Sequence, residues 1–344
     1  MVIILKKAAV LFGISLLSLL CGCNISEEPC AKKDFFAMDT YMTLTAYGDN
    51  AEAALDRACS EITRLEGLFS VTDKNSDIGR INSSRGQPVE ISTDTAKLIS
   101  RSSKLSEFTD GTLDITVYPL VREWGFTTGN YAVPTDKKIN ELLGSTGYLN
   151  ISINDNKVTI PENYQLDLGS VAKGYAGERA AEILKEEGVT SAILSLGGNV
   201  QTIGEKPDGT PWRVAVTDPF SPSDTICTLS VIDKAVVTSG NYQRYFVSED
   251  GKKYCHIIDP KTGYPVDNGL ASVTVTGDSG TYCDGLSTAL FVMGEEKATA
   301  FRNEHRDFDM LIITEDGRII ITESLSENVE FTDNTITQKV EVIK

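Results

Sequence analysis

The sequence predicts an α+β fold, a single continuous unit of helices and mixed β-sheets. Apolar residues recur at helical spacing in some segments and at alternate positions in others. With 41% hydrophobic residues, a chain of 344 residues can bury a large core. No internal repeat and no Pro/Gly/Ser-rich linker divides the sequence. We therefore expect one domain over residues 34–344.

The residues before this domain are predicted to be a targeting segment. Two lysines precede the apolar run of residues 8–20, a pattern that is typical of a signal peptide and too short for a membrane-spanning helix. The run ends in LCGC, which resembles the cleavage signal of bacterial lipoproteins. This resemblance implies a signal peptide over residues 1–22, a lipid on Cys23 and a tether over residues 23–33. An uncleaved anchor or ordinary secretion is the alternative, and either way we expect an extracytoplasmic protein.

The charge and the cysteines exclude several classes of protein. A net charge of −17 argues against nucleic acid, or an anionic membrane surface, as a general partner. A ligand that carries phosphate would therefore need a cation, a lysine or a helix N-terminus at its site. The 7 cysteines are irregularly spaced, so no disulfide framework is visible.

In the first half of the domain, the segment FFAMDTYMTLTAYG (residues 35–48) is rich in aromatic and β-branched residues and is predicted to be a strand. Residues 151–160 favour a hairpin that turns at Asp155-Asn156. Apolar spacing and capping residues predict helices at residues 51–69, 93–108 with Thr93 as the N-cap, 134–143, and 170–187.

In the second half, residues 192–196 are predicted to be a buried strand that stops at Gly197-Gly198. Residues 212–276 favour mostly strand. The remaining predicted elements are helices from about Asp284 and Glu295, a hairpin turning at residues 315–317, and a polar tail.

Residues 254–293 contain the most informative candidate site. Asp284 and Thr288 are four residues apart at the start of an apolar helical run, so the first turn of a helix would place both side-chain oxygens on one face. That turn would also offer backbone N–H groups to an anion. Carboxylate and hydroxyl oxygens suit a hard cation such as Mg²⁺. His256, one of 2 histidines, is the candidate for proton transfer because histidine titrates near neutrality; a structural histidine at a strand end is the alternative.

Three further clusters have both a functional and an ordinary interpretation. Residues 165–184 predict a strand that ends at Asp167 and a helix with Lys173 in its first turn, which is a possible ligand site or a common strand-to-helix turn. The sequence GGN at residues 197–199 is either a phosphate loop or a turn. Asp114 lies among aromatic and apolar residues that suit a flat aromatic ligand or a packed core edge.

Seven motifs in chain order carry a resemblance to a known family: AMDTYMT, SDIGRIN, GTLDITVYPLVREWGF, LDLGSVAKGYA, SLGGN, HIIDPKTGYP and CDGLSTALFVMG. Together they resemble the ApbE family of lipoproteins, the FAD:protein FMN transferases, which bind flavin and depend on Mg²⁺. The resemblance covers residues 35–320 and implies an ApbE-like architecture related to the T-fold.

The resemblance also implies roles for individual residues. The residues implied for the FAD site are Met38, Thr72, Thr112, Leu113, Asp114, Asp167, Lys173 and Ile258. The residues implied for the Mg²⁺ site are Ser170, through its backbone carbonyl, and Asp284, Ser287 and Thr288. Thr72 departs from the family pattern, which tends to have an aromatic residue there, and a threonine offers no ring to stack on FAD.

The implied reaction is the Mg²⁺-dependent transfer of FMN from FAD to a threonine or serine hydroxyl of a target protein, which releases AMP. His256 and Asp284 are the implied catalytic residues. The implied acceptors are extracytoplasmic subunits of Rnf- or Nqr-type redox complexes, and the implied location is the membrane surface through the lipid anchor. An Mg²⁺-dependent FAD pyrophosphatase, which gives FMN and AMP, and a flavin-scavenging lipoprotein are the alternatives.

Overall fold

The structure is a computed structural model that describes residues 29–333 and 339–344. The predicted signal peptide, the lipidation site Cys23 and the tether up to residue 28 lie outside the described residues. The first strand begins at Cys30, which pairs with Tyr47. The strand thus includes residues 30–33, which precede the predicted start of the domain at residue 34. No helix in the described ranges is long and apolar enough to cross a membrane.

The described part of the chain alternates between strands and helices. The strands of its first half are β1 (Cys30–Ala37), β2 (Thr40–Tyr47), β3 (Val89–Glu90), β4 (Ser152–Asn154), β5 (Lys157–Thr159), β6 (Ser191–Leu196), β7 (Asn199–Ile203) and β8 (Trp212–Asp218). The later strands are β9 (Ser221–Val231), β10 (Ala235–Gly240), β11 (Tyr245–Val247), β12 (Lys253–Cys255), β13 (Leu270–Gly277), β14 (Asp309–Thr314), β15 (Ile319–Thr322), β16 (Val329–Phe331) and β17 (Val340–Ile343). The helices are α1 (Ala51–Phe69), α2 (Asp77–Asn82), α3 (Thr93–Phe108), α4 (Tyr118–Glu123), α5 (Asp136–Leu143), α6 (Ala172–Glu186), α7 (Gly280–Met293), α8 (Glu295–Glu304) and α9 (Glu323–Ser326).

A nine-stranded sheet forms the centre, in the order β1-β2-β6-β7-β10-β13-β14-β15-β17. Its pairings are antiparallel except for the parallel pair of β15 and β17. Smaller sheets have the orders β16-β9-β8, β3-β5-β4 and β11-β12. The predicted α+β class is confirmed.

The central sheet is buried on both faces. On β10 and β13, Val237 and Leu270 pack in the cluster that contains the apolar residues of α7. Their neighbours Val236 and Ala271 point the other way and pack against the apolar residues of β8 and β9. Successive side chains of a strand point to opposite faces, so these strands bury side chains at every position and not only at alternate ones. In β15 the buried residues are a run of isoleucines, and in β13 buried serine and threonine residues stand between the apolar ones.

Helices α1, α6 and α7 cover one face of the sheet. Helix α1 buries Leu55, Ile62 and Leu65 at helical spacing, and the same core includes Ala176, Ala180 and Leu184 of α6. Burying such side chains stabilises the fold by about 1.5–3 kcal/mol each before entropy costs are counted. The packing brings the N-terminal ends of α6 and α7 together beside β7 and β10.

The structure corrects the prediction in the N-terminal half at three places. Residues 35–48 form a hairpin and not one strand, because Met38 and Asp39 adopt positive φ angles of 49° and 59° and reverse the chain. The N-cap of α3 is Ser92, whose hydroxyl accepts a hydrogen bond from the Thr95 N–H, and not Thr93. The residues before Asp167 form an isolated bridge from Gln165 to Val117 in place of a strand.

Two further corrections concern the C-terminal half. Helix α7 begins at Gly280 with Ser279 as its N-cap, so Asp284 lies in its second turn and not in its first. The predicted polar tail contains strands β16, which extends the small sheet, and β17, which adds an edge to the central sheet. The two strands have only 3 and 4 residues, which is too short for an alternating apolar pattern to predict a strand.

Candidate active site

A cleft of about 650 Å³ lies where the N-terminal ends of α6 and α7 face β8, β10 and the β12–β13 connection. Residues that are far apart in the sequence line it together. The predicted site residues in its lining are Met38, Thr112, Leu113, Asp114, Asp167, Ser170, Lys173, His256, Ile258, Asp284 and Thr288. The structure thus brings most of the implied flavin and metal residues into one cleft.

Two of the predicted site residues are not part of this lining. Thr72 lies exposed on the connection between α1 and α2, where its hydroxyl contacts that of Ser70. Ser287 is fully buried, and its hydroxyl contacts the Ser239 hydroxyl and the Asp284 carbonyl at 2.8 and 2.9 Å. The Ser287 side chain therefore faces the interior of the fold, whereas the half-buried Thr288 faces the cleft.

Asp284 is the most buried carboxylate of the site, with 5% of its surface exposed. Its Oδ2 accepts a hydrogen bond of 2.7 Å from the backbone N–H of Gly174, in the first turn of α6. The positive helix end that meets this carboxylate is therefore that of α6, and not that of α7, which carries Asp284 itself. Burial raises the pKa of Asp284, and the nearby positive charge of Lys173 opposes that rise.

Two glycines allow the helices to approach this closely. A Cβ atom on Gly174 would lie 2.2 Å from the carbonyl oxygen of Gly280 and 2.7 Å from the Cβ of Asp284. A Cβ on Gly280 would in turn lie 2.6 Å from the carbonyl oxygen of Gly174. These distances are far below ordinary contact, so only a pair without side chains lets the α6 backbone reach Asp284.

Asn199, the last residue of the GGN turn, lies beside the same carboxylate. It is fully buried, and its Oδ1 accepts a hydrogen bond of 3.1 Å from Gln201. Its Nδ2 is a buried donor, and its interaction with the Asp284 carboxylate acts to lower the pKa of that carboxyl. The amide therefore presents its N–H groups to the end of the cleft where Asp284 lies.

His256 follows β12 directly and is half-buried in the cleft wall. Its backbone N–H donates to the carbonyl oxygen of Arg244 at 3.0 Å, and its Nδ1 lies 3.2 Å from the same oxygen. A carbonyl oxygen only accepts hydrogen bonds, so Nδ1 carries the proton and Nε2 retains its lone pair. Burial, and then the positive charges of Arg244 and Lys173, lower the pKa of His256 to about 4. The expectation that this histidine titrates near neutrality is wrong; at pH 7 it is a neutral proton acceptor.

Asp114 and Asp167 both line the cleft and differ in how their carboxylates are hydrogen-bonded. The oxygens of Asp114 accept hydrogen bonds from the N–H and hydroxyl of Thr116 at 2.8 and 2.6 Å, and from the N–H of Tyr148 at 3.0 Å. Asp114 therefore holds two loops together as well as facing the cleft. The Oδ1 of Asp167 accepts a hydrogen bond of 2.8 Å from the Gly169 N–H, and its other oxygen has no protein donor among the described residues. Burial raises the pKa of both carboxyls.

An aromatic cluster supports the wall that carries His256. Phe126 lies 6.4 Å from the His256 ring, edge to face, and packs against Phe246 of β11. The buried Trp124 donates a hydrogen bond of 2.9 Å to the carbonyl oxygen of Gly263 and so fixes the loop that follows Ile258. The cleft thus has an apolar wall that suits a flat ring, beside a polar end that suits an anion.

Sequence reasoning missed Asp39, Thr40 and Arg244, which also line the cleft. Asp39 and Thr40 were hidden because their segment was predicted to be one continuous strand. Arg244 stands in a stretch that was predicted only as strand, and nothing in its spacing connects it with His256. The structure makes the connection through the hairpin of β11 and β12.

Comparison with known proteins identifies the family. The ApbE family profile matches residues 38–312. An FAD:protein FMN transferase of Vibrio cholerae is 35% identical over 273 residues, which cover 77% of this chain and 80% of that protein. The same-named protein of Haemophilus influenzae is 33% identical over 294 residues, with 82% and 84% covered.

Solved structures agree with this comparison. The ApbE protein of Thermotoga maritima aligns with a TM-score of 0.82 and 34% identity, over 87% of this chain and 99% of that one. The flavinyl transferase ApbE of Pseudomonas stutzeri aligns with a TM-score of 0.79 and 29% identity, over 88% and 97%. The resemblance carried by the seven motifs is confirmed: the chain belongs to the ApbE family.

Proposed function

We propose that this protein transfers FMN from FAD to a threonine or serine hydroxyl of a target protein and releases AMP. The observation that carries the proposal is the meeting, in one cleft, of a neutral histidine with an available Nε2 and a buried carboxylate at a helix N-terminus. Relatives that are 35% and 33% identical bear the name FAD:protein FMN transferase. The cleft volume of about 650 Å³ lies within the range of small-molecule sites.

The donor atoms at the polar end fit Mg²⁺. Within the described ranges, no group of three or more His, Cys, Asp or Glu side chains could hold a metal ion. The cleft instead offers the Asp284 carboxylate, the Thr288 hydroxyl and the backbone of Ser170. Mg²⁺ is commonly bound by one or two carboxylates and completes its shell with water and substrate phosphates. The Ser287 hydroxyl contacts Ser239 and the Asp284 carbonyl, so it does not fit as a ligand in this arrangement.

A bound Mg²⁺ would stabilise the negative charge that develops on the phosphate oxygens. The chain's own groups would bind and orient the reactants. The N-terminus of α6 and the half-buried Lys173 face the cleft and would hold the diphosphate. The Nε2 of His256 would accept the proton of the acceptor hydroxyl. The hydroxyl oxygen then forms a bond to the FMN phosphorus while the bond from that phosphorus to the bridging oxygen breaks, and AMP leaves with that oxygen.

We also propose that the protein works outside the cytoplasm, anchored by a lipid on Cys23. The support is the LCGC sequence after the apolar run of residues 8–20. Acceptors in this location would be extracytoplasmic flavoproteins, such as subunits of Rnf- or Nqr-type redox complexes. Labelling cells with a radioactive fatty acid tests the anchor, and a Cys23→Ala variant that still carries the label would contradict it.

The transfer reaction is tested by mixing the protein with FAD, Mg²⁺ and a candidate acceptor domain. We expect flavin fluorescence to stay with the acceptor on a denaturing gel, and AMP to appear in equal amount. FMN without a labelled protein would support the pyrophosphatase alternative. Bound but intact FAD would support the flavin-scavenging alternative and would contradict both enzymatic ones. Asp284→Ala should abolish the transfer, and turnover in that variant would contradict the metal assignment.

A further inference from the structure

The charges in the cleft do not match an anionic ligand without help. Its lining includes the carboxylates of Asp39, Asp114, Asp167 and Asp284, and its lysine and arginine side chains among the described residues are Lys173 and Arg244. The chain as a whole has a net charge of −17. A flavin nucleotide with a diphosphate adds further negative charge, so each cation in the lining matters for binding.

Arg244 is held by one edge of its guanidinium. Its Nη2 donates a hydrogen bond of 2.8 Å to the carbonyl oxygen of Phe126, which fixes the group against the aromatic wall. Its ion pair with Asp39 is 3.8 Å long, from Nη1 to a carboxylate oxygen, and the two side chains are 49% and 79% exposed. Such an exposed pair stabilises little. The remaining N–H groups of a planar, permanently charged fork are available to phosphate oxygens.

The position of Arg244 relates it to the reacting atoms. Its backbone carbonyl accepts the hydrogen bonds of His256, so the two residues are joined at the end of the β11–β12 hairpin. Its positive charge acts on both His256 and Asp167. A proton acceptor must lie close to the hydroxyl that attacks phosphorus. The guanidinium is therefore close to the place where the phosphorus must lie.

We propose that Arg244 binds the phosphate groups of the flavin nucleotide from the His256 wall, while Lys173 binds them from the α6 wall. The inference rests on the proposed function, because it requires a flavin nucleotide in this cleft. It adds a substrate-binding residue and explains why the charge is placed on the hairpin that also carries the histidine.

The test is the binding of FAD and of riboflavin, which has the same ring without phosphate, to the full protein in EDTA. Loss of a charged hydrogen bond corresponds to about a tenfold to hundredfold change in affinity. We expect Arg244→Gln to lower the affinity for FAD by this factor and the affinity for riboflavin by less than about twofold. Arg244→Lys should recover part of the lost FAD affinity. The matched control is Lys252→Gln, which removes an exposed cation from the same hairpin and should leave both affinities unchanged.

Three results would overturn the inference. The first is an unchanged FAD affinity in Arg244→Gln, and the second is an equal loss of affinity for FAD and for riboflavin in that variant. The third is a loss of FAD affinity in the Lys252→Gln control that equals the loss in Arg244→Gln. Unfolding curves of each variant identify a loss of fold. The proposed function is tested separately, by FMN transfer in the unmodified protein. If that protein transfers FMN and Arg244→Gln keeps its FAD affinity, the inference is contradicted and the proposed function is not.

Discussion

Replacing Gly174 by alanine should damage the active site more than the fold. Gly174 donates its backbone N–H to Asp284 and lies against Gly280 at the crossing of α6 and α7. The added methyl group would be 2.2 Å from the Gly280 carbonyl oxygen, whereas ordinary contact begins at 3.4 Å. The backbone of α7 must therefore move away by about 1.2 Å, and the Asp284 carboxylate moves with it.

The magnitude follows from two opposing terms. Overpacking costs about 1–3 kcal/mol in the free energy of unfolding. Alanine is better than glycine inside a helix by about 1 kcal/mol, so the net loss should be about 0–2 kcal/mol. A misplacement of about 1 Å in a catalytic group reduces the rate about a hundredfold. Activity should thus fall much further than stability.

The assay measures urea unfolding and FMN transfer for the variant and for a matched control. Gly67→Ala places the same methyl group in the interior of α1, where a Cβ meets no atom within 4 Å. We expect this control to gain up to about 1 kcal/mol and to retain full activity. If Gly174→Ala were as stable and as active as Gly67→Ala, the close approach of the helices would not position Asp284, and the reasoning would fail.

Three other substitutions have distinct expected outcomes. Asp284→Asn should abolish transfer, yet in EDTA at pH 7 the variant should be at least as stable as the original protein. Burial raises the pKa of this carboxyl, so its negative charge is unfavourable in the folded state. The difference in stability between the two proteins in EDTA should therefore narrow as the pH falls. His256→Gln should slow transfer about 10²- to 10⁴-fold with unchanged FAD affinity. The unmodified protein should lose activity only as the pH approaches the His256 pKa of about 4, and a loss near pH 6.5 would contradict the lowered pKa of this histidine. Glu178→Gln, in α6, should lower the free energy of unfolding at pH 7 by about 1–3 kcal/mol. Burial acts to raise the pKa of Glu178, but Arg101 and the donors of Thr281 hold that pKa below its usual value. Unfolding curves of the two proteins should therefore converge as the pH falls below 4.5.

Most elements of the fold could be predicted from local patterns. Helix α1 matched its predicted bounds because its apolar residues repeat at helical spacing over five turns. The hairpin of β4 and β5 matched because Asp155-Asn156 is a strong turn signal. The hairpin of β1 and β2 was missed because methionine rarely adopts a positive φ angle, as Met38 does, and no glycine or proline stands in the turn. Their turn is supported from outside the segment, by a hydrogen bond of 2.7 Å from the Met38 N–H to Glu66 of α1.

The candidate site was predictable in its membership and not in its geometry. The motifs identified Asp167, Lys173, His256 and Asp284, and the structure brings them into one cleft. The environment that lowers the pKa of His256 to about 4 was not predictable, because it depends on burial and on the charge of Arg244. A side chain's surroundings come from segments that are distant in sequence, and spacing along the chain does not encode them.

The sequence by itself determined the family, the α+β class and the residue types that the chemistry requires, because each of these is recorded in short motifs and local periodicity. Only the tertiary structure decided which groups act together. The backbone N–H that meets Asp284 belongs to a helix 110 residues earlier in the chain, across a contact that two glycines make possible. Contacts of this kind depend on how the helices pack against the sheet, and packing is a property of the whole fold.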